Sequence, residues 1–87
     1  MDYEVEVEVD GYDYVVYADL AWDGSYSWAR DGAGQDWLDV KTDPEFHNFE
    51  VYRYNDDHDM VKLEAWDIQV RKMAEVIMIE VYWDRIL

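Results

Sequence analysis

The sequence predicts an α+β fold. The expected elements are an antiparallel sheet opening with a β-hairpin over about residues 2–22, one helix over about 58–73 packed on the sheet, and a closing strand over about 76–83. Three observations carry this. Tyr3, Val5, Val7 and Val9 alternate with Asp2, Glu4, Glu6 and Glu8, the period of a half-buried strand. Asp10-Gly11 follows, a dipeptide suited to a two-residue hairpin turn in which both central residues take positive φ. Leu63, Trp66, Val70, Met73 and Ile77 then recur at spacings of three and four.

Strand two of the hairpin runs from Tyr12 to about Trp22 and presents Tyr12, Tyr14, Val16, Ala18 and Leu20 on one face. The turn sets the register: Val9 faces Tyr12, Val7 faces Tyr14, Val5 faces Val16 and Tyr3 faces Ala18. Trp22-Asp23-Gly24-Ser25 marks another turn, and residues 25–30 return as a third strand. Residues 31–36 are a loop by composition, and residues 37–41 are ambiguous. Thr42 followed by Pro44 suggests a cap and one helical turn. Residues 49–54 alternate again and read as a strand.

Asn55-Asp56-Asp57-His58-Asp59 would then start the helix, with acids at its beginning and Arg71-Lys72 near its end to match the helix dipole. A strand pair competes for the same segment, because Val61, Leu63 and Ala65 also alternate. Ile68 and Val70 fall out of phase with that reading and would need a bulge, and an all-β fold would result. Residues 76–83 are rich in β-branched and aromatic side chains, which favours a strand. No repeat, linker or low-complexity tract divides the chain, so residues 1–87 are expected to form a single domain.

Composition narrows the function. The chain has 87 residues, 22 Asp+Glu against 7 Lys+Arg and a formal net charge of -15. At 51% hydrophobic, with five Trp and eight Tyr, it is too apolar for a disordered acidic tail. Cysteine is absent, which excludes disulfides, thiolate nucleophiles and Cys-type zinc sites. No apolar run approaches the roughly 20 residues of a membrane span, and no signal peptide opens the chain, so a cytoplasmic setting is expected. An acidic chain does not neutralise phosphates, which disfavours direct binding to nucleic acid or an anionic membrane.

Enzyme signals are thin. Hydroxyl nucleophiles other than tyrosine are Ser25, Ser27 and Thr42, with neither His47 nor His58 near them in sequence, so no catalytic residues are expected. Gly32-Ala33-Gly34 opens like a dinucleotide loop but has Trp37 at the third glycine position. Asp56, Asp57 and Asp59 match no calcium-loop spacing, and a solvated helix start is the simpler reading. No cofactor or metal is expected.

The charge is localised. Residues 1–59 hold 17 acids and 3 bases, a net of -14, whereas residues 60–87 hold 5 acids and 4 bases, a net of -1. The hairpin register gathers Asp2, Glu4, Glu6, Glu8, Asp13 and Asp19 on one outer face, with Glu8 opposite Asp13 and Asp2 opposite Asp19. Like charges directly opposed destabilise a sheet, so folding alone does not explain the arrangement. Strand geometry spreads six charges over roughly 26 Å. That is about one per 4 Å, comparable with one per roughly 3.4 Å along a DNA strand. A solvated face that also discourages edge pairing is the competing explanation.

In size, charge and aromatic content the whole chain resembles the small acidic DNA-mimic inhibitors of phage type, the anti-restriction and anti-CRISPR proteins. It also looks like the acidic immunity proteins of nuclease toxins. No motif is shared, so no residues carry over. The resemblance implies a stoichiometric inhibitor that blocks the nucleic-acid site of a basic protein such as a CRISPR effector, restriction enzyme or nuclease. In a phage-encoded chain it would act in the host cytoplasm. The expected contact residues are Asp2, Glu4, Glu6, Glu8, Asp13 and Asp19, joined by Asp31, Asp36, Asp56, Asp57 and Asp59. The alternatives are a calcium- or carbohydrate-binding module, or a viral structural protein forming oligomers such as a homodimer through residues 76–83.

Overall fold

A computed structural model describes residues 2–30 and 32–86 of the chain. Along the sequence lie β1 (Tyr3–Val9), β2 (Tyr12–Trp22), β3 (Ser25–Arg30), β4 (Asp36–Thr42), β5 (Glu45–Tyr54), β6 (Met60–Leu63) and α1 (Ile68–Ile86). The main sheet is antiparallel in the order β1-β2-β5-β6, and β3 and β4 form a separate two-stranded ribbon.

The first hairpin has the register the sequence predicts, with Tyr3 opposite Ala18, Val5 opposite Val16, Val7 opposite Tyr14 and Val9 opposite Tyr12. Asp10 and Gly11 both take positive φ, 52° and 81°, so the turn continues the right-handed strand twist. Tyr3, Val5, Val7, Val16, Ala18 and Val51 turn to one side and meet Val70, Ala74, Met78 and Tyr82 of the helix. Phe46 completes the core, its ring edge-on to Tyr3 at 4.9 Å between centroids.

The C-terminal elements differ from expectation. The helix spans Ile68–Ile86 and not 58–73, and residues 76–83, expected as the closing strand, lie within it. Its buried residues recur every four positions, at Val70, Ala74, Met78 and Tyr82. The packing of this stripe on β1 outweighs the strand preference of the β-branched residues between them. Met73, which the three-and-four spacing places on the apolar stripe, is 40% exposed. Asp67 starts the helix, its Oδ1 accepting the Gln69 amide at 2.8 Å. Residues 55–59 are therefore not a helix start. They form the β5–β6 hairpin loop, where Asn55 Oδ1 accepts the amides of Asp57 and Asp59 at 3.0 and 2.9 Å.

Pro44 begins no helical turn. It precedes β5, where Leu20 pairs with Phe46 and holds that ring in the core. Residues 25–30 are a strand as expected, but they pair with Asp36–Thr42 outside the main sheet. The β3–β4 ribbon is inserted between β2 and β5, at the sheet end opposite the Asp10–Gly11 turn. None of its residues belongs to the core cluster. The molecule is accordingly long, 57 × 23 × 19 Å, with a radius of gyration of 16.3 Å. A compact chain of this length would have about 12 Å. No helix among the described residues is long and apolar enough to cross a membrane.

Candidate functional site: an open acidic sheet face

The helix covers the inner side of β1 and β2, which leaves the outer side of the sheet open. Alternation on β1 places Glu4, Glu6 and Glu8 there, all exposed. Pairing extends each across the sheet. Glu8 stands opposite Asp13, Glu6 opposite Val15, and Glu4 opposite Tyr17, which in turn stands opposite Glu50. Val15 pairs onward to Tyr52, and Tyr52 to Lys62. The face therefore combines an acidic edge strand with an apolar centre. Tyr17 and Tyr52 meet edge-to-face at 5.4 Å, and Val15 beside them is 3% exposed.

The expected repulsion between Asp2 and Asp19 is relieved by the backbone. Asp19 Oδ1 accepts the Asp2 amide at 3.2 Å, and Asp2 Oδ2 accepts the Leu20 amide at 3.0 Å. Asn48 Nδ2 donates to the second Asp19 oxygen at 3.4 Å. These two carboxylates thus clamp the strand ends, a bonding role that makes them less available to a partner. No such bond relieves the Glu8–Asp13 juxtaposition among the described residues.

A shallow cleft of 650 Å³ opens on this face, lined by Asp2, Glu4, Tyr17, Glu50, Tyr52, Met60 and Arg85. Tyr17 donates its hydroxyl to Glu4 Oε1 at 3.3 Å. Surrounding protein pushes the Tyr17 phenol up, and the Glu4 charge adds to this. Lys62 Nζ donates to Glu50 Oε1 at 2.8 Å, and that bond raises the ammonium's pKa. The cleft offers carboxylates beside two aromatic rings, a surface suited to guanidinium and ammonium groups.

The other expected contact residues divide. Asp56, Asp57 and Asp59 are exposed in the β5–β6 loop, at the same sheet end as Asp10, Glu8 and Asp13, and extend the acidic surface there. Asp36 does not join them. It lies on the ribbon, where Arg30 Nε and a second guanidinium nitrogen donate to its two oxygens at 2.8 and 3.4 Å. Asp31 lies outside the described residues. Among the described residues, no group of three His, Asp or Glu side chains is arranged to hold a metal ion.

Sequence reasoning overlooked Glu50, Tyr52 and the apolar centre of the face. The signal was present in β2, whose outward set reads Asp13, Val15, Tyr17 and Asp19, two apolar residues among acids. Compared with known proteins, the chain matches no family model, no curated protein and no solved structure.

Proposed function

We propose that the protein is an acidic inhibitor that mimics a nucleic-acid backbone and occupies the binding channel of a basic protein. The observation that carries this reading is the uncovered outer sheet face. Its edge strand bears Glu4, Glu6 and Glu8 at alternate positions, and Glu8 is opposed by Asp13 without a relieving bond among the described residues. That arrangement costs folding energy and has a use if a partner supplies the missing cations. Glu6 and Glu8 would pair with lysine and arginine side chains that normally hold phosphates, and Asp56, Asp57 and Asp59 would extend the row. The Tyr17–Tyr52 pair would supply short-range contact at its centre, because aromatic rings carry much of the affinity in such interfaces. Long-range attraction would raise the association rate.

The test is a pull-down from bacterial lysate at low salt with elution by duplex DNA, followed by titration of the released protein. One basic nucleic-acid enzyme should elute, and its affinity should fall as salt rises. Converting Glu4, Glu6 and Glu8 together to Gln should weaken binding by at least about tenfold. Unchanged affinity in the folded triple variant would remove the acidic edge as the contact surface.

A further inference from the structure

The β3–β4 ribbon has the opposite character to the body that carries it. Residues 25–42 contain three acids and two bases, a net of -1, so the remaining residues account for -14. Register pairs place Tyr26 opposite Val40 and Trp28 opposite Leu38, so these four side chains share one face. That face is open: Trp28 is 57% exposed, Tyr26 42% and Val40 41%. Tyr26 reaches the body from it, edge-on to Trp83 at 5.8 Å. A two-stranded ribbon is marginal in water without a third layer or strand.

From this we infer that the ribbon's apolar face is a self-association surface whose occupant is the same face of a second copy. Charge decides between a second copy and a basic protein. The ribbon carries only -1 of the chain's charge, so a basic protein is drawn to the acidic body, whereas two copies repel each other least at the ribbon. Arg30 and Asp36 share the face of Trp28 and Leu38 and pair with each other, so that face brings no unpaired base to the contact. Position favours the same occupant. The ribbon leaves the sheet at the end away from Asp10, Asp56, Asp57 and Asp59, so pairing two ribbons keeps the acidic loops at the far ends of a long dimer. A two-fold arrangement would set Trp28 against its counterpart or against Val40 of the other copy.

The area sets the strength. The exposed parts of these side chains offer roughly 300 Å² per copy, well under the about 800 Å² per partner of a standard interface. The dimer is therefore weak and concentration-dependent. Added salt screens repulsion between the bodies and strengthens it. Binding to a basic protein has the opposite salt dependence, so failure of one reading leaves the other standing.

The experiment is light scattering and sedimentation of the purified chain from roughly 1 μM to 1 mM, in low and high salt. A monomer has 10.5 kDa. The mass should double with concentration, at lower concentration in high salt. Trp28→Lys and Val40→Lys, each checked for unchanged circular dichroism, should raise the dissociation constant at least about tenfold. A wild-type chain that stays monomeric at both salts overturns the proposal, and this arm needs no variant to fold. It is also overturned if the dimer survives Trp28→Lys, or if Val76→Lys on the exposed helix surface dissociates the dimer while Trp28→Lys does not.

Discussion

Trp83 lies so close over Gly24 that a Cβ at Gly24 would come 2.7 Å from its ring. The same Cβ would come 2.9 Å from the Thr42 carbonyl oxygen. The pair forms the joint between body and ribbon, because Gly24 is the last residue of the crossing from β2 to β3 and Thr42 ends β4. The indole of Trp83 is itself held, donating from Nε1 to Asp43 at 3.2 Å.

Gly24→Ala should therefore destabilise the protein by about 1–3 kcal/mol, as overpacking does. The melting temperature would fall by roughly 5–15 °C. Gly32, whose Cβ position faces open space, is the control, and its change to Ala should stay within about 0.5 kcal/mol. Thermal melts of the two variants settle the matter, and equal melting temperatures would contradict the close approach.

The helical form of residues 76–83 separates Val76 from Met78, which a strand would place on the same face. Met78 is 0% exposed and Val76 57% exposed. Met78→Ala should cost about 2–5 kcal/mol through the cavity it leaves. Val76→Ala should be near neutral, because Ala is the better helix former. Denaturant unfolding of both variants measures the difference, and similar losses would contradict the helix.

Stability should fall in alkaline solution through Tyr82. Burial pushes its phenol pKa up, the Gly24 amide donating to the hydroxyl opposes this, and the charge of Asp23 adds to it. The folded chain thus holds this proton more tightly than the unfolded one. Its contribution is complete below the unfolded value of about 10 and is lost as pH rises through the raised folded value. Tyr82→Phe should cost about 1–2 kcal/mol at neutral pH by removing both hydrogen bonds, and should flatten the alkaline slope. Urea midpoints between neutral pH and the alkaline range test both effects.

The triple change of Glu4, Glu6 and Glu8 to Gln should leave the protein at least as stable as the parent. It removes the opposed charges at Glu8 and Asp13 while keeping side-chain size. Added salt should raise the parent's melting temperature more than the variant's, since screening has less repulsion to relieve. A marked loss of stability would show that these carboxylates hold the sheet together.

Much of the site was legible because it rests on local rules. Alternation and a two-residue turn determine which side of β1 each glutamate occupies, and the observed register follows them residue by residue. Glu50 and Tyr52 were not legible as neighbours of Tyr17. Nothing near residue 50 states that β5 pairs with β2 across the inserted ribbon. Asp36 was grouped with the acidic face by charge alone, whereas the two-stranded pairing places it against Arg30.

The sequence by itself determined the first hairpin, its turn, its register and the concentration of acid on its outer side, because each depends on neighbours within about 20 residues. It also showed a helical period near Val70, but not where the helix stops. Residues 76–83 have the composition of a strand and a four-residue spacing of core side chains, and the chain alone does not choose between them. Packing chose. β1 presents Tyr3, Val5 and Val7 to one side, and a helix sets Val70, Ala74, Met78 and Tyr82 on that apolar strip while turning Val76 out, whereas a strand would put Lys72, Val76 and Glu80 on the same face as them. The same packing left the opposite side of the sheet, with its row of glutamates, exposed to solvent.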